Sequence, residues 1–195
     1  MQREQRAFEA EIQIEERAEG GKSIVGHAAV FNVLSENLGG FRERIAPGAF
    51  SQSAKADDVR ALFNHDPNFV LGRNKAGTLK LSEDERGLAI RITPPDTSFA
   101  RDLMVSLERR DITQMSFGFS VLVDGQQWEE DADGMVIRTL TNVRLYDVSP
   151  VTFPAYPQTD VAVRELRDWQ AAKVIPELWR VPIARRKLSL SLIGP

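Results

Sequence analysis

The stretch "ITQMSFGFSV", residues 112–121, decides how the rest of this chain is interpreted. Successive side chains of a β-strand point to opposite faces, so the stretch predicts one apolar face and one face of small or polar groups. The apolar face carries Met115, Phe117, Phe119 and Val121, and the other face carries Gln114, Ser116, Gly118 and Ser120. The first is a core face. The second leaves room for another group, such as an extended peptide, to lie close to Ser116.

The composition is that of one soluble globular domain. The chain has 195 residues, of which 42% are apolar and 27% charged, and its formal net charge is −3. A phosphate-binding surface normally brings a basic excess, so this balance does not favour a nucleic-acid partner. Cysteine is absent, which excludes disulfides, thiolate zinc sites and a cysteine nucleophile. The charged start is unlike a signal peptide, and no stretch is apolar enough to cross a membrane.

Alternating runs separated by turn residues predict a strand-rich chain. The runs "FEAEIQIEE" and "SIVGHAAVFN" predict a hairpin around Gly20–Gly21, and a second hairpin is predicted around residues 83–87. The predicted helices cover residues 49–56, residues 96–112, and residues from 161 through Trp169 to a break at Pro176. Regular strand–helix–strand units are absent, so the order favours an α+β domain built on an antiparallel sheet or barrel.

The two histidines are the side chains best suited to general base chemistry near neutral pH. His27 lies inside an alternating run, where a histidine is usually structural. His65 comes at the end of a predicted strand, because Pro67 cannot continue a ladder, and a residue at such a transition can face a substrate. An ordinary loop histidine remains the alternative for His65.

Ser116 and Asp147 are the other candidates for a catalytic site. A serine hydroxyl becomes a good nucleophile when a base removes its proton and a third polar group orients that base. Asp147 lies near the end of the strand after Ser116 and could accept the second imidazole N–H. Asp66 is a poorer choice, since neighbours on an extended chain point to opposite sides. A packed or solvent-facing serine and a turn-forming aspartate remain the alternatives.

Other chemistries fit the sequence less well. "DADG" at residues 131–134 is too short for a calcium loop and predicts a hairpin turn. "LGG" at residues 38–40 lacks the Lys-Ser/Thr pair of a phosphate loop. Two histidines without cysteine do not favour a transition-metal site. No metal or other cofactor is therefore expected.

Several motifs, in their order along the chain, resemble one known family. They are "GHAAVFN", "ERIAPGAF", "LFNHD" followed by "VLGR", "GLAIRITPPDT", "ITQMSFGF" and "LYDVSPVTFPAYP". This ordered set, from about residue 9 to about residue 166, is similar to the prohead serine proteases of tailed bacteriophages. The resemblance implies a fold like that of the herpesvirus maturation proteases, which is a mostly antiparallel β-barrel surrounded by a few helices.

The resemblance also implies a role for each candidate residue. Ser116 matches the family's nucleophile and His65 its base, and Asp147 falls where the family usually carries an acidic residue, frequently glutamate. The shorter aspartate side chain must bring its strand closer to the imidazole. The oxyanion donors are left open between backbone N–H groups near Ser116 and Arg144.

The same resemblance implies the substrates and the location. The expected substrates are the scaffold portion of the major capsid protein, or a separate scaffold, and the protease itself. The protease is expected to form an oligomer. Cleavage is expected inside the immature prohead in the host bacterial cytoplasm, with neither nucleic acid nor membrane as partner. Residues 1–166 are expected to form the protease domain, and residues 167–195 a C-terminal helix and basic tail. The alternatives are a non-catalytic capsid-assembly or scaffold protein and an unrelated β-barrel ligand binder.

Overall fold

A computed structural model of the chain describes residues 3–153 and 160–180. The strands are β1 (Glu4–Glu9), β2 (Gln13–Glu16), β3 (Lys22–Val30), β4 (Phe41–Ile45), β5 (Arg60–Phe63), β6 (Asp66–Arg73), β7 (Leu79–Glu83), β8 (Gly87–Ile92), β9 (Gln114–Val121), β10 (Gln126–Glu130), β11 (Val136–Leu140) and β12 (Val143–Val151). The helices are α1 (Ser51–Ala56), α2 (Ser98–Glu108) and α3 (Asp160–Arg180), with a short 3-10 turn at Asn74–Ala76. The chain divides into two compact units, Met1–Pro157 and Gln158–Pro195.

The described strands form three sheets. Their orders are β1-β9-β12-β5-β6, β10-β11-β4 and β2-β3-β8-β7. The β4–β11 and β5–β12 pairings are parallel, and the other pairings are antiparallel. The α+β class is therefore confirmed, but the predicted closed barrel is wrong for the described residues. Alternation within a strand shows which face is buried, but it does not show which strands close a sheet.

The N-terminal segment takes a different path from the predicted one. The run "FEAEIQIEE" is divided between β1 and β2, and only β2 pairs with β3 across Gly20–Gly21. β1 instead pairs with β9, with Ala7 opposite Ser116 and Gln5 opposite Gly118. β9 therefore has a neighbour on each edge, β1 on one side and β12 on the other.

The apolar face of β9 forms part of the main core, as its alternation predicts. Met115, Phe117 and Phe119 are almost completely buried. The Phe117 ring meets the ring of Phe50 edge-on, with 5.4 Å between centroids, and lies 5.1 Å from the ring of Phe119. Burial of such aromatic side chains supplies much of the stability of a domain.

The predicted open face of β9 is wrong. Ser116 and Ser120 are buried, and the hydroxyl of Ser120 lies 3.0 Å from that of Tyr146. Both edges of β9 are also paired with strands of the same chain, so an extended peptide cannot add to this strand. The small side chains make room for groups of the protein itself.

A buried ionic cluster joins β1 to the three-stranded sheet. Arg138 donates to Glu4 at 2.9 Å and to Glu43 at 3.0 Å, and Arg6 donates to the same two carboxylates at 2.8 Å each. Burial alone raises the pKa of Glu4, but the hydrogen bonds and charges of Arg138 and Arg6 outweigh it, so this pKa lies below its ordinary value. The cluster fixes β1 in place, since removing one partner leaves a buried charge unpaired.

The helices follow the sequence signals more closely than the strands do. α1 and α2 are confirmed, and Thr97 is the N-cap residue of α2, without a side-chain hydrogen bond to the helix. α3 is confirmed through Trp169, but the predicted break at Pro176 is wrong, because the helix continues to Arg180. No helix among the described residues is long and apolar enough to cross a membrane. The basic tail beyond residue 180 lies outside the described residues, and the domain division at residue 166 stays a prediction.

Candidate active site

The structure brings His65, Ser116 and Asp147 together, although they are far apart in the sequence. His65 Nε2 lies 2.6 Å from Ser116 Oγ, and His65 Nδ1 lies 2.6 Å from Asp147 Oδ1 and 3.1 Å from Oδ2. A carboxylate can only accept, so the ring proton is on Nδ1 and Nε2 is left to accept the Ser116 hydroxyl. Ser116 and Asp147 are buried, and the side chain of His65 is only 8% exposed.

Ser116 and Asp147 are positioned by neighbouring strands. In the β9–β12 ladder, Asp147 faces Gly118 and Ser149 faces Ser116, with a β-bulge between Leu145 and Asp147. Two residues along a ladder span about 7 Å, a distance that one imidazole ring can bridge. Asp147 lies in the middle of β12 rather than near the predicted strand end. Its short carboxylate nevertheless reaches the imidazole.

His65 lies in a two-residue turn between β5 and β6. Asn64 and His65 both have positive φ angles, 52° and 58°, and Phe63 pairs with Asp66 across the turn. A type I′ hairpin turn needs positive φ at both central residues, and asparagine and histidine enter this region more readily than most residues. The prediction that His65 follows a strand end is confirmed, because β5 ends at Phe63, but the stated reason is wrong, because Pro67 lies within β6. β6 lies at the edge of its sheet, where a proline is tolerated.

The side chain of Asn64 ties this turn to the end of β12. Its Nδ2 donates to Thr152 Oγ1 at 3.0 Å, and its Oδ1 accepts from the Thr152 N–H at 2.9 Å. The Asn64 N–H donates to the carbonyl of Pro150 at 3.0 Å. The turn that carries the imidazole is therefore attached to the strand that carries the carboxylate.

Three other residues considered from the sequence lie outside this arrangement. His27 pairs with Asp84 at 2.8 Å, and the hydrogen bond from His27 holds the pKa of that carboxyl below its usual range. Asp66 Oδ1 accepts from the backbone and side chain of Asn68. Arg144 pairs in register with Ser120, and its guanidinium lies over the ring of Tyr146, 5.7 Å from the centroid, rather than at Ser116.

The sequence interpretation missed two residues that contact Asp147, and it did not predict what fills the space beside Gly118. Arg3 Nη2 lies 2.5 Å from Asp147 Oδ2, and Ser149 Oγ lies 3.4 Å from Oδ1. Gly118 leaves the space that the Arg3–Asp147 pair fills. The alternation of the strand could have predicted that Ser149 lies beside Asp147, because residues two apart on a strand share a face. Arg3 gave no signal, since its position depends on the pairing of β1 with β9.

The arrangement matches the one found in Ser-His-Asp hydrolases. A serine hydroxyl bonded to an imidazole, which is bonded in turn to a buried carboxylate, is the geometry by which Ser-His-Asp hydrolases activate a nucleophile. The imidazole can take the hydroxyl proton, and the carboxylate can fix the tautomer and stabilise the imidazolium.

Comparisons with known proteins identify the family. The chain belongs to the caudovirus prohead serine proteases, whose family pattern matches residues 8–173. It is 30% identical over 173 residues to the prohead protease of Enterobacteria phage HK97, a match that covers 82% of this chain and 72% of that protein. Its fold resembles that of the capsid assembly protease of bacteriophage T4, with a TM-score of 0.54 and 12% identity over 77% of this chain and 97% of that chain.

Proposed function

We propose that this protein is a capsid maturation serine endopeptidase. The observation that carries the proposal is the hydrogen-bonded series from Ser116 through His65 to Asp147, in a chain of the prohead serine protease family. The matched positions of the family motifs support the same three residues. The catalytic role of each follows from its place in the series.

The proposed reaction is acyl transfer. His65 accepts the proton of Ser116 as Oγ attacks the scissile carbonyl carbon, and a tetrahedral intermediate forms. The imidazolium, held by Asp147, then protonates the leaving amine as the peptide C–N bond breaks. Water, deprotonated by His65, hydrolyses the acyl-enzyme and restores the serine hydroxyl.

The proposed substrates are the scaffold portion of the phage major capsid protein, or a separate scaffold, and the protease itself. The site of action is the interior of the prohead in the host cell, where confinement raises the local concentration of enzyme and substrate. The names of the HK97 and T4 relatives support this assignment. We extend the proposal to a distant relation in fold with the herpesvirus maturation proteases, which the order of the sequence motifs supports.

One observation favours the alternative, a capsid-assembly protein that kept the fold without cutting. Ser116 has no exposed surface in this structure, so a substrate carbonyl cannot reach its Oγ without a movement of the groups around it. Within the proposed function, this burial corresponds to a resting form that opens when substrate is bound. A permanently closed site would instead leave only the assembly role.

Co-expression with the major capsid protein of the same genome tests the proposal. The wild-type chain and a Ser116→Ala variant are compared by intact mass over time, for both the protease and the capsid protein. We expect discrete truncated products with the wild type and none with the variant, because triad members act as a unit and their loss costs about 10⁴-fold or more in rate. The fragment masses also locate the cleaved bonds.

Two outcomes would contradict the proposal. Undiminished cleavage by rigorously purified Ser116→Ala protein would show that another group is the nucleophile. Full-length capsid protein in assembled shells with both chains would favour the assembly role. A Ser120→Ala variant is the matched control, because Ser120 is a buried serine on the same face of β9 that contacts Tyr146.

A further inference from the structure

Arg3 shares the carboxylate of Asp147 with His65. Its Nη2 lies 2.5 Å from Oδ2, while His65 Nδ1 lies 2.6 Å from Oδ1. The Asp147 side chain is 1% exposed and that of Arg3 is 45% exposed, so the pair joins a buried anion to a cation at the surface. Charge-assisted hydrogen bonds to an ionised carboxylate are stronger than neutral ones, and here they fix its rotation.

The residue beneath this pair is a glycine, and the pair requires it. A Cβ on Gly118 would lie 2.5 Å from Asp147 Oδ2 and 2.9 Å from both Nε and Nη2 of Arg3. No side chain could fit there without displacing one or both of them. The small residue in the middle of the serine strand therefore makes room for the guanidinium to reach the carboxylate.

The strand that follows Arg3 is held firmly. β1 is paired with β9 along its length, and the residue after Arg3, Glu4, belongs to the buried ionic cluster with Arg138. The guanidinium of Arg3 also lies over the ring of Tyr146, 5.3 Å from the centroid. Arg3 is thus oriented before any substrate arrives, as precise positioning of a catalytic group requires.

We propose that Arg3 is a positioning residue of the triad, which acts through Asp147. It holds Oδ2, so that Oδ1 faces the imidazole Nδ1, and it offsets part of the carboxylate charge. The proposal rests on the proposed function of the triad. It assigns Arg3, which precedes both β1 and the residues matched by the family pattern, to the support of the catalytic groups.

Arg3 variants test this role in the full chain. Arg3→Met removes the charge and keeps an unbranched apolar side chain, and Arg3→Lys keeps the charge. Arg144→Met is the matched control, since Arg144 also lies over Tyr146 but pairs with Asp57 rather than Asp147. The substrate is a peptide that spans a junction mapped in the co-expression experiment. We expect kcat of Arg3→Met to fall about 10- to 100-fold with KM nearly unchanged, the loss that is typical when a residue that orients an active-site side chain is removed.

The conservative variant and the pH profile separate positioning from a general loss of structure. Arg3→Lys should recover most of kcat. In Arg3→Met the acidic limb of the kcat/KM profile should move to higher pH, because the unshared carboxylate stabilises the imidazolium more strongly. The groups around the carboxylate are His65, Arg3, Ser149 and the backbone of Gly118. Arg144→Met should keep the wild-type profile.

A proton NMR measurement distinguishes failure of this inference from failure of the proposed function. The Nδ1–H signal of His65 reports its hydrogen bond to Asp147 without any turnover. The positioning role would be overturned if the wild type cleaves and Arg3→Met equals it in kcat, pH profile and NMR signal. The protease function would be overturned if the wild type cleaves nothing. An NMR signal that shifts in Arg3→Met and returns in Arg3→Lys would, in that case, still support the contact between Arg3 and Asp147.

Discussion

Replacing Gly118 by alanine tests how precisely the carboxylate of Asp147 must be placed. The new Cβ would lie 2.5 Å from Asp147 Oδ2, whereas ordinary contacts begin at 3.4 Å, so the carboxylate must move by about 0.9 Å. Arg3 can swing towards solvent, but Asp147 is buried and has little room to relax. A misplacement of about 1 Å at a reacting centre costs about 10²-fold, so we expect kcat to fall about 100-fold.

The assay compares kcat, KM and the urea unfolding midpoint of the wild type and Gly118→Ala. Gly118 is not among the glycines with positive φ, so alanine brings no backbone strain of its own. Ser120→Ala, two residues along the same face of β9, controls for a mutation in this strand. Wild-type kcat in Gly118→Ala, or a loss that only follows the unfolded fraction, would refute the reasoning.

Three further predictions concern Asp147, the turn at Asn64 and the buried ionic cluster around Glu4. Asp147→Asn should lower kcat about 10⁴-fold at unchanged stability, because the amide favours the wrong imidazole tautomer; a loss below about tenfold in steady-state kinetics would argue against the role. Asn64→Ala should lower the unfolding free energy by about 1–3 kcal/mol and more than Asn64→Gly does, because only alanine is strained at a φ of 52°; equal urea midpoints for the two would contradict this. Glu4→Gln should cost about 3 kcal/mol at neutral pH by leaving Arg138 poorly paired. Because the pKa of Glu4 is lowered, its stabilising effect is fully present above pH 4.5 and is lost as pH falls through the folded-state pKa. The unfolding free energies of the wild type and Glu4→Gln should therefore converge in acid, and a constant difference between them would contradict this.

The sequence predicted the local features of the fold well. The alternation of residues 114–121 gave the correct core face, and the turn at Gly20–Gly21 and helix α2 follow from side-chain chemistry within a few residues. His65, Ser116 and Asp147 were candidates by their side-chain chemistry and position, and the order of the family motifs then implied a role for each. The structure adds that Ser116 and Asp147 each lie within hydrogen-bond distance of the His65 ring.

The features that sequence reasoning missed depend on long-range pairing. The run "FEAEIQIEE" alternates without a break, so nothing local shows that β1 leaves β2 and joins β9. That single pairing fills the free edge of β9 and brings Arg3 to Asp147. The barrel prediction failed for a similar reason, because the number of sheets depends on which strands pair across the whole chain.

The turn at residues 64 and 65 has a consequence for how activity is lost on heating. Ser116 and Asp147 are on paired strands inside a five-stranded sheet, whereas His65 is on a two-residue turn next to an edge strand. Edge hairpins exchange their amide protons through local opening at a lower free energy than the sheet interior. Inactivation should therefore precede global unfolding, with hydrogen exchange rising first in the β5–β6 hairpin.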